Sequence, residues 1–251
     1  AGLEQATRLQ VAALHAGRFQ SAGLTRIADL GCGIGADAMA MAALELNVTA
    51  VEIDEVTAAI ASYNLALWQN ASVVHADAAT FELGDFDSDG AGFDGVWLDP
   101  ARRAAGHQHS SRLTDPADFS PSLDFAFEIG TRLPTGIKLG PGVDRDLIPA
   151  EAEAQWVSVD HEVVELAVWF GAVARPGIRR AALVLGSHGS AELTGPADSE
   201  DVETGGSGEY LYEPDGAVIR ARLIGTLGRQ LGASMLSDGI AYLSSERAVE
   251  T

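Results

Sequence analysis

The sequence contains a single cysteine, Cys32, and no hydrophobic run of the roughly eighteen residues that a membrane-spanning helix needs. A lone cysteine excludes an internal disulfide and a cysteine-rich metal cluster. The first ten residues, AGLEQATRLQ, lack the apolar core of a secretory signal, so we expect a cytoplasmic protein without a membrane partner. His107 and His109 have no third ligand at a convincing spacing, and we therefore predict no metal site.

Lysine is almost absent as well. Lys138 is the only one, and 36 acidic residues against 16 basic ones give a formal net charge of −20. Such a surface repels phosphate backbones, which disfavours extended, non-specific nucleic-acid binding by this chain. This charge does not exclude a local basic patch at a substrate site, because Arg102, Arg103 and Arg112 lie close together in the sequence. These arginines either hold a substrate or pair with the abundant carboxylates of the protein.

Strand and helix patterns alternate over the first hundred residues. Strands are predicted at 26–30, 47–53, 72–75 and 93–98, and a packed helix at 36–46. A further helix is predicted after Asp54, a plausible N-cap, with an apolar series at helical spacing. Its members are Val56, Ile60, Tyr63 and Leu67. This alternation predicts an α/β fold, a mostly parallel sheet with helices on both faces.

The pattern is less regular after residue 100. A long polar loop is predicted at 100–121, and a helix at Glu162–Phe170 between two later strands. The other expected elements are a helix at 123–133, strands at 136–139, 156–159, 180–185 and 240–243, and a helix at 217–231. The glycine-containing acidic segment 195–208 has the composition of a flexible linker. We therefore divide the chain into a helical segment 1–24, a central domain 25–194 and a C-terminal segment 195–251.

A glycine-rich turn links the first strand to the first packed helix. It contains Gly31, Gly33 and Gly35, and glycines are needed where a backbone turns sharply and approaches a ligand. Gly31, Gly33 and Ala36 would also fit a dinucleotide-binding turn. Asp29 argues against a nicotinamide cofactor, because its charge would face a pyrophosphate. A carboxylate there suits the ammonium and sulfonium groups of S-adenosylmethionine (SAM) instead.

Acidic residues also follow the second and third predicted strands. Glu52 can accept hydrogen bonds from both ribose hydroxyls of a nucleoside, and Asp54 could share or replace that role. Asp77 is placed to accept from an adenine amino group. Since open α/β sheets bind ligands at the carboxyl ends of their strands, these acids together with Asp29 predict a nucleoside-type cofactor.

Four segments, IADLGCGIG, VTAVEID, HADA and FDGVWLDPARR, resemble the successive motifs of class I SAM-dependent methyltransferases, in their usual order and spacing. The resemblance implies a Rossmann-like fold with a seven-stranded sheet whose last strand is antiparallel. It also implies a set of cofactor contacts. These are Asp29, Gly31, Cys32, Gly33, Gly35, Glu52, Ile53, Asp77, Ala78 and Asp99.

A narrower resemblance involves the segments DPARR, IKLGPG, VVELAVWFG and EYLYEPDGAVIRA. They look like bacterial methyltransferases that carry a C-terminal THUMP-like domain, distant relatives of the enzymes that dimethylate the guanosine cap of small RNAs. The helix around residues 6–8 resembles a cofactor lid in that group. The chain ends about where a THUMP-like domain would lie, so we expect most of that RNA-binding part to be absent.

Asp99 and Pro100 follow the fourth strand, where the resemblance places the reacting methyl group. The Asp99 carboxylate and the Pro100 carbonyl are two acceptors that can grip an exocyclic amino group. Enzymes acting on such amines often have a base-stacking aromatic residue at the position of Arg102, which can instead stack through its guanidinium or clamp a phosphate. Methylation of C5 in a pyrimidine needs a nucleophilic cysteine. The single cysteine, Cys32, lies inside the glycine turn, so the sequence argues against that reaction.

The sequence thus predicts a SAM-dependent methyltransferase that modifies a base amino group in RNA. Asp99 and Pro100 would orient the nucleophile, while Arg102, Arg103 and Lys138 would hold the substrate. Two alternatives are a small-molecule methyltransferase, which the acidic charge favours, and a SAM-binding module without catalysis.

Overall fold

The computed structural model describes residues 3, 6–84, 92–102, 119–187 and 189–248. Arg103, Arg112 and the histidines His107 and His109 lie outside this described part, as does most of the predicted polar loop. The chain divides into two compact units. The first comprises Ala1–Leu139 with Trp169–Ala174, and the second comprises Gly140–Val168 with Arg175–Thr251.

The first unit contains an alternation of helices and strands close to the predicted one. Its elements are α1 (Leu9–Ser21), β1 (Arg26–Leu30), α2 (Ala36–Ala43), β2 (Asn47–Glu52), α3 (Glu55–Leu65), β3 (Ala71–His75), β4 (Gly95–Leu98), β5 (Ala101–Arg102), β6 (Phe119–Ser120), α4 (Leu123–Arg132) and β7 (Thr135–Leu139). Helix α1 continues through Gly17 without a break. The predicted strands and helices therefore exist, with boundaries shifted by a few residues.

The strands of the first unit form a parallel sheet in the order β3-β2-β1-β4-β7. The four residues of β4 are all buried, as are four of the five residues of β1, which is usual for parallel strands covered on both faces. Trp97 and Trp169 pack with ring centroids 5.5 Å apart. Gly136 in β7 is required there, because a Cβ would lie 2.6 Å from both indoles.

Helix α3 begins at Asp54, whose carboxylate accepts a hydrogen bond from the amide of Thr57, as the capping prediction requires. The apolar series Val56, Ile60, Tyr63 and Leu67 is exposed, and Tyr63 reaches 84%. The buried face consists of Ala58, Ala61 and Leu65. Helical spacing was thus correct, but the face formed by Ala58, Ala61 and Leu65 packs inward, and the predicted apolar series does not.

The second unit is mainly β-structure. Its elements are β8 (Glu153–Val159), most of β9 (Glu162–Phe170), β10 (Arg180–Gly186), β11 (Gly189–Gly195), β12 (Tyr210–Tyr212), α5 (Gly216–Arg220), α6 (Ile224–Leu231), β13 (Ser234–Ser237) and β14 (Ile240–Ser245). Strands β8 and β10 are parallel, β11 is antiparallel to β10, and β12, β14 and β13 form a separate sheet.

Three predictions that involve this region are wrong. The segment Glu162–Phe170 is a strand and not a helix. Its last six residues are buried, so it lacks the alternation that usually marks a strand. Including it, the large mostly parallel sheet has nine strands among the described residues, instead of the seven that the resemblance implied. The predicted helix at 217–231 is two helices, α5 and α6, separated near Arg222, which has φ of 57°.

The acidic segment after β11 is held against helix α6. Ser199 Oγ accepts a hydrogen bond from the amide of Thr226, and Arg229 donates to the carbonyl of Glu200 at 3.1 Å. A Cβ at Gly225 would lie 1.7 Å from that same carbonyl oxygen, so the close approach requires glycine. No helix among the residues that the structure describes is long and apolar enough to cross a bilayer.

Candidate functional site

The strand order of the first unit reverses at the β1–β4 pair. Strands β2 and β3 lie on one side of β1, and β7 lies beyond β4. In doubly wound sheets the connections leave such a point in opposite directions and open a crevice at the carboxyl ends of the strands. Asp29 and the glycine turn stand at the end of β1, and Asp99 follows β4 directly.

The glycine turn approaches the end of β4 closely. Gly31 has φ of 82°, and a Cβ there would lie 3.0 Å from the backbone oxygen of Asp99. Gly35 adopts a left-handed conformation, with φ of 88°, at the N-cap of α2. Both positions therefore require glycine, and they leave backbone rather than side chains facing the crevice.

Asp29 is a buried carboxylate, and neither of its oxygens has a hydrogen-bond partner among the described residues. Burial raises its pKa well above the usual range, and the negative charges of Asp37, Asp99 and Glu52 raise it further, while Lys138 lowers it. A buried carboxylate without a partner is costly. The position is therefore suited to a cationic group, and none of the described residues donates a hydrogen bond to this carboxylate.

Glu52 is fixed at the end of β2 by two backbone amides. Gly33 donates to its Oε2 at 3.0 Å, and Asp54 donates to its Oε1 at 2.9 Å. Each carboxylate oxygen keeps acceptor capacity for a ligand. The carboxylate of Asp54 accepts from the amide and the hydroxyl of Thr57, so it caps α3.

The end of β3 presents Asp77, which is exposed and accepts a hydrogen bond from the amide of Ala79 at 2.9 Å. Ala78 beside it is buried. Ile53 follows Glu52 and is 61% exposed, although it is a large apolar residue. The ring Nε2 of His75 lies 2.9 Å from the carbonyl oxygen of Ile53 and so connects the ends of β2 and β3. The sequence analysis did not identify His75.

Cys32 lies inside the glycine turn, with its sulfur 3.5 Å from the carbonyl oxygen of Gly33. Burial raises the pKa of its thiol, and the nearby carboxylates of Asp29 and Glu52 raise it further. The thiol therefore stays protonated at neutral pH. This environment is the opposite of what a nucleophilic cysteine needs.

Asp99 is bound by Lys138, whose Nζ lies 2.6 Å from its Oδ2. The same ammonium donates to the hydroxyl of Thr7 at 3.1 Å, and Thr7 donates to Asp37 at 2.6 Å. His15 Nδ1 lies 2.8 Å from the other oxygen of Asp37. Lys138, predicted as a substrate contact, therefore has partners within the protein.

His15 and Asp37 were not predicted as site residues from the sequence, and Thr7 was predicted only as part of a lid-like helix. The available signal was an aspartate in the first turn of a helix otherwise made of alanine and methionine. Buried acids in such a setting need a partner. Nothing in the sequence identified that partner.

Pro100 is buried, and the chain then enters a short antiparallel ribbon. In this ribbon Ala101 of β5 pairs with Ser120 of β6, and Arg102 pairs with Phe119. The predicted loop is thus closed at its base. Within the described ranges, no group of three or more histidine, cysteine or acidic side chains is arranged to hold a metal ion.

Comparison with known proteins gives a consistent assignment of the fold. The chain superposes on the crystal structure of a proposed methyltransferase from Porphyromonas gingivalis W83, with a TM-score of 0.71 and 22% identity, covering 99% of this chain and 63% of that one. The fold is the class I methyltransferase fold. No protein-family model matches the chain.

Two curated relatives are similar to this chain in sequence. They are uncharacterized S-adenosylmethionine-dependent methyltransferases of Mycobacterium tuberculosis, from strains H37Rv and CDC 1551. Each is 32% identical over 249 residues, which are 98% of this chain. The chain spans 64% of the length of these relatives.

Proposed function

We propose that the chain binds SAM in the crevice between β1 and β4 and transfers its methyl group to a substrate. The observation that carries this proposal is the buried carboxylate of Asp29, whose oxygens have no hydrogen-bond partner within the described part of the chain. SAM carries an ammonium and a sulfonium, and a partnerless buried anion favours such cations. A nicotinamide dinucleotide would place a pyrophosphate here, which Asp29 disfavours.

The remaining strand-end residues fit the rest of such a cofactor. Glu52, held by two amides, would accept from the ribose hydroxyls. Asp77 and the exposed side chain of Ile53 would take the adenine, by a hydrogen bond and by apolar contact, beside Ala78. Gly31, Cys32, Gly33 and Gly35 would supply backbone close to the ligand. These roles follow the resemblance and the placement of each residue at one sheet edge.

When bound, SAM supplies an electrophilic methyl group that a nucleophile removes by in-line displacement. The contribution of the chain is then mainly alignment. We assign Asp99 and the carbonyl of Pro100 as the hydrogen-bond acceptors that orient an amino group, and the carboxylate of Asp99 as the group that receives its proton. Arg102 and Arg103 are the candidate substrate contacts, with a base amino group in RNA as the proposed target.

The test is transfer of a radiolabelled methyl group from SAM to RNA purified from cells that lack this protein. We expect incorporation by the wild type and its loss in Asp99→Ala. Thr57→Val, which removes a hydroxyl bonded to Asp54, serves as a control with normal incorporation. Full activity of Asp99→Ala would show that Asp99 does not orient the nucleophile.

A small-molecule substrate is the second candidate, and the net charge of −20 favours it. Competition by bulk RNA separates the two. If RNA is the substrate, added RNA inhibits SAM-dependent turnover, and the inhibition weakens as salt rises. Absence of inhibition at low salt would favour the small molecule. SAM binding without turnover on either class would indicate a non-catalytic module.

The proposed domain boundaries at residues 24 and 194, and the kinship with methyltransferases that carry a THUMP-like domain, stay predictions. The RNA-binding role that this kinship implies would be tested by expressing the longer relatives with and without the part that this chain does not match. Loss of RNA methylation, with cofactor binding retained, would support an RNA-binding role for that part.

A further inference from the structure

Five side chains form one continuous hydrogen-bonded chain that ends at Asp99. They come from helix α1, helix α2, the segment before α1, strand β7 and the end of β4. In that order they are His15, Asp37, Thr7, Lys138 and Asp99. The four donor–acceptor distances are 2.8, 2.6, 3.1 and 2.6 Å. Each lies within the range of a good hydrogen bond.

The hydroxyl of Thr7 can connect its neighbours in only one way. A lysine ammonium has donors and no acceptor, so Thr7 must accept from Lys138. The single hydroxyl proton is then available for Asp37, which an ionised carboxylate accepts. Because one oxygen serves both neighbours, Thr7 transmits the position of Asp37 to Lys138.

His15 and Asp37, at the end of the hydrogen-bonded series that is distant from Asp99, lie in the core. The side chains of His15 and Asp37 are 3% and 8% exposed. The ring centroids of His15 and Trp97 lie 4.3 Å apart. Burial by itself raises the pKa of Asp37, but the hydrogen bonds and charge of His15, with help from Thr7 and Lys138, hold it below the usual range. Asp37 is therefore an ionised, fixed acceptor for Thr7.

Lys138 and Asp99, at the other end of the hydrogen-bonded series, are the members that contact solvent. The side chain of Lys138 is 15% exposed, whereas that of Asp99 is 34% exposed. With both neighbours close and little exposed surface, the ammonium is poorly placed to clamp a phosphate. It is well placed to fix one oxygen of Asp99 and so to hold that carboxylate in one orientation.

We propose that Thr7 and Lys138 are positioning residues for Asp99, with the core pair His15 and Asp37 as their fixed support. Thr7, in the segment before α1, thereby fixes the orientation of the Asp99 carboxylate at the end of β4. The consequence for methyl transfer rests on the proposed function, but the contact itself does not. Lys138 is thus assigned to orient Asp99 rather than to hold substrate.

The test uses the fact that Lys138 is the only lysine in the sequence. Labelling the full chain, without a lysine-containing tag, with ¹³C,¹⁵N-lysine gives a single ammonium signal by nuclear magnetic resonance. We expect its protons to exchange slowly with water in the wild type. In Thr7→Val, which keeps the shape but loses the hydroxyl, exchange should be about fivefold faster or more, as expected for one lost hydrogen bond.

Two matched variants make this result specific. Thr7→Ser restores the hydroxyl and should return the exchange rate to within about twofold of the wild type. Thr57→Val removes a threonine hydroxyl that is likewise bonded to an aspartate, Asp54, outside the network, and should leave the signal unchanged. A purely structural role for Thr7 would not predict rescue by serine in a signal from Lys138.

A second measurement separates this inference from the proposed function. Titration with S-adenosylhomocysteine measures cofactor binding by the wild type and by Thr7→Val separately from turnover, and methyl transfer to the RNA pool at saturating cofactor should fall at least about fivefold in the variant. If the wild type does not bind this ligand, the proposed function fails and the exchange data still decide the contact. Unchanged exchange of the Lys138 ammonium in Thr7→Val, or equal acceleration in Thr57→Val, would overturn the inference.

Discussion

Replacing Asp29 by asparagine should change cofactor affinity and protein stability in opposite directions. The substitution keeps the shape of the side chain and removes the charge that lies buried without a hydrogen-bond partner among the described residues. We propose that this charge meets its cation when the cofactor binds. The cofactor-free protein therefore bears the cost of the carboxylate, and the complex gains from it.

The magnitudes follow from the burial of the group. Losing a hydrogen-bonded charge pair at a buried site costs about 2–4 kcal/mol, which corresponds to an S-adenosylhomocysteine affinity weaker by about 30-fold to 1000-fold. In the cofactor-free protein, the free energy of unfolding should rise by about 1 kcal/mol, since a desolvated carboxylate is removed and only a neutral amide has to be accommodated.

Calorimetric titration measures the affinity, and urea unfolding without cofactor measures the stability. Asp124→Asn is the matched control, because Asp124 is an exposed residue in the first turn of α4 and should change neither quantity appreciably. The reasoning is refuted if Asp29→Asn binds S-adenosylhomocysteine as tightly as the wild type. A large loss of stability in the cofactor-free variant would equally show that Asp29 has a structural partner.

Because the pKa of Asp29 is raised and a cation needs its ionised form, affinity for S-adenosylhomocysteine should fall as pH drops through that raised pKa and Asp29 of the free protein takes up a proton. The contribution of Asp29 to the free energy of unfolding has the opposite pH dependence: it is fully present below the unfolded-state pKa of about 4 and is lost as pH rises through the folded-state pKa. Calorimetric titrations and urea unfolding at several pH values measure the two effects. Gly31→Ala should destabilise by about 1–2 kcal/mol, since its φ is 82° and a backbone oxygen would lie 3.0 Å from the new Cβ, whereas Gly17→Ala within α1 should stabilise by about 0.5–1 kcal/mol in the same urea assay. Leu65→Ala should lower the free energy of unfolding by about 2–5 kcal/mol, and Tyr63→Ser on the exposed face of α3 should lower it by less than about 1 kcal/mol. Similar losses for the two variants would mean that Tyr63 is covered.

The parallel part of the fold could be predicted because each strand is short, apolar and followed by a turn residue. Strand β1, at Arg26–Leu30, has the predicted bounds, and β7 differs from its prediction by one residue. Strand β9 was mistaken for a helix because burial on both faces removes the alternation that distinguishes the two. In α3 the spacing gave the helix correctly, but spacing does not say which face the sheet covers.

The candidate site could be predicted in part, because strand-end acids follow a local rule. Asp29, Glu52 and Asp77 stand where that rule places them, at the carboxyl ends of β1, β2 and β3. The Thr7–Lys138 contact joins residues 131 positions apart, and no periodicity or spacing connects them. Side-chain pairings of this kind are decided by tertiary packing, so the sequence did not indicate this contact of Lys138.

The measurement that tests the central claim most directly is calorimetric titration of the wild type with S-adenosylhomocysteine, with NADH titrated in parallel. The account predicts about micromolar binding of S-adenosylhomocysteine and no binding of NADH, because Asp29 favours a cation and disfavours a pyrophosphate. Binding of NADH, or of neither ligand, would contradict it.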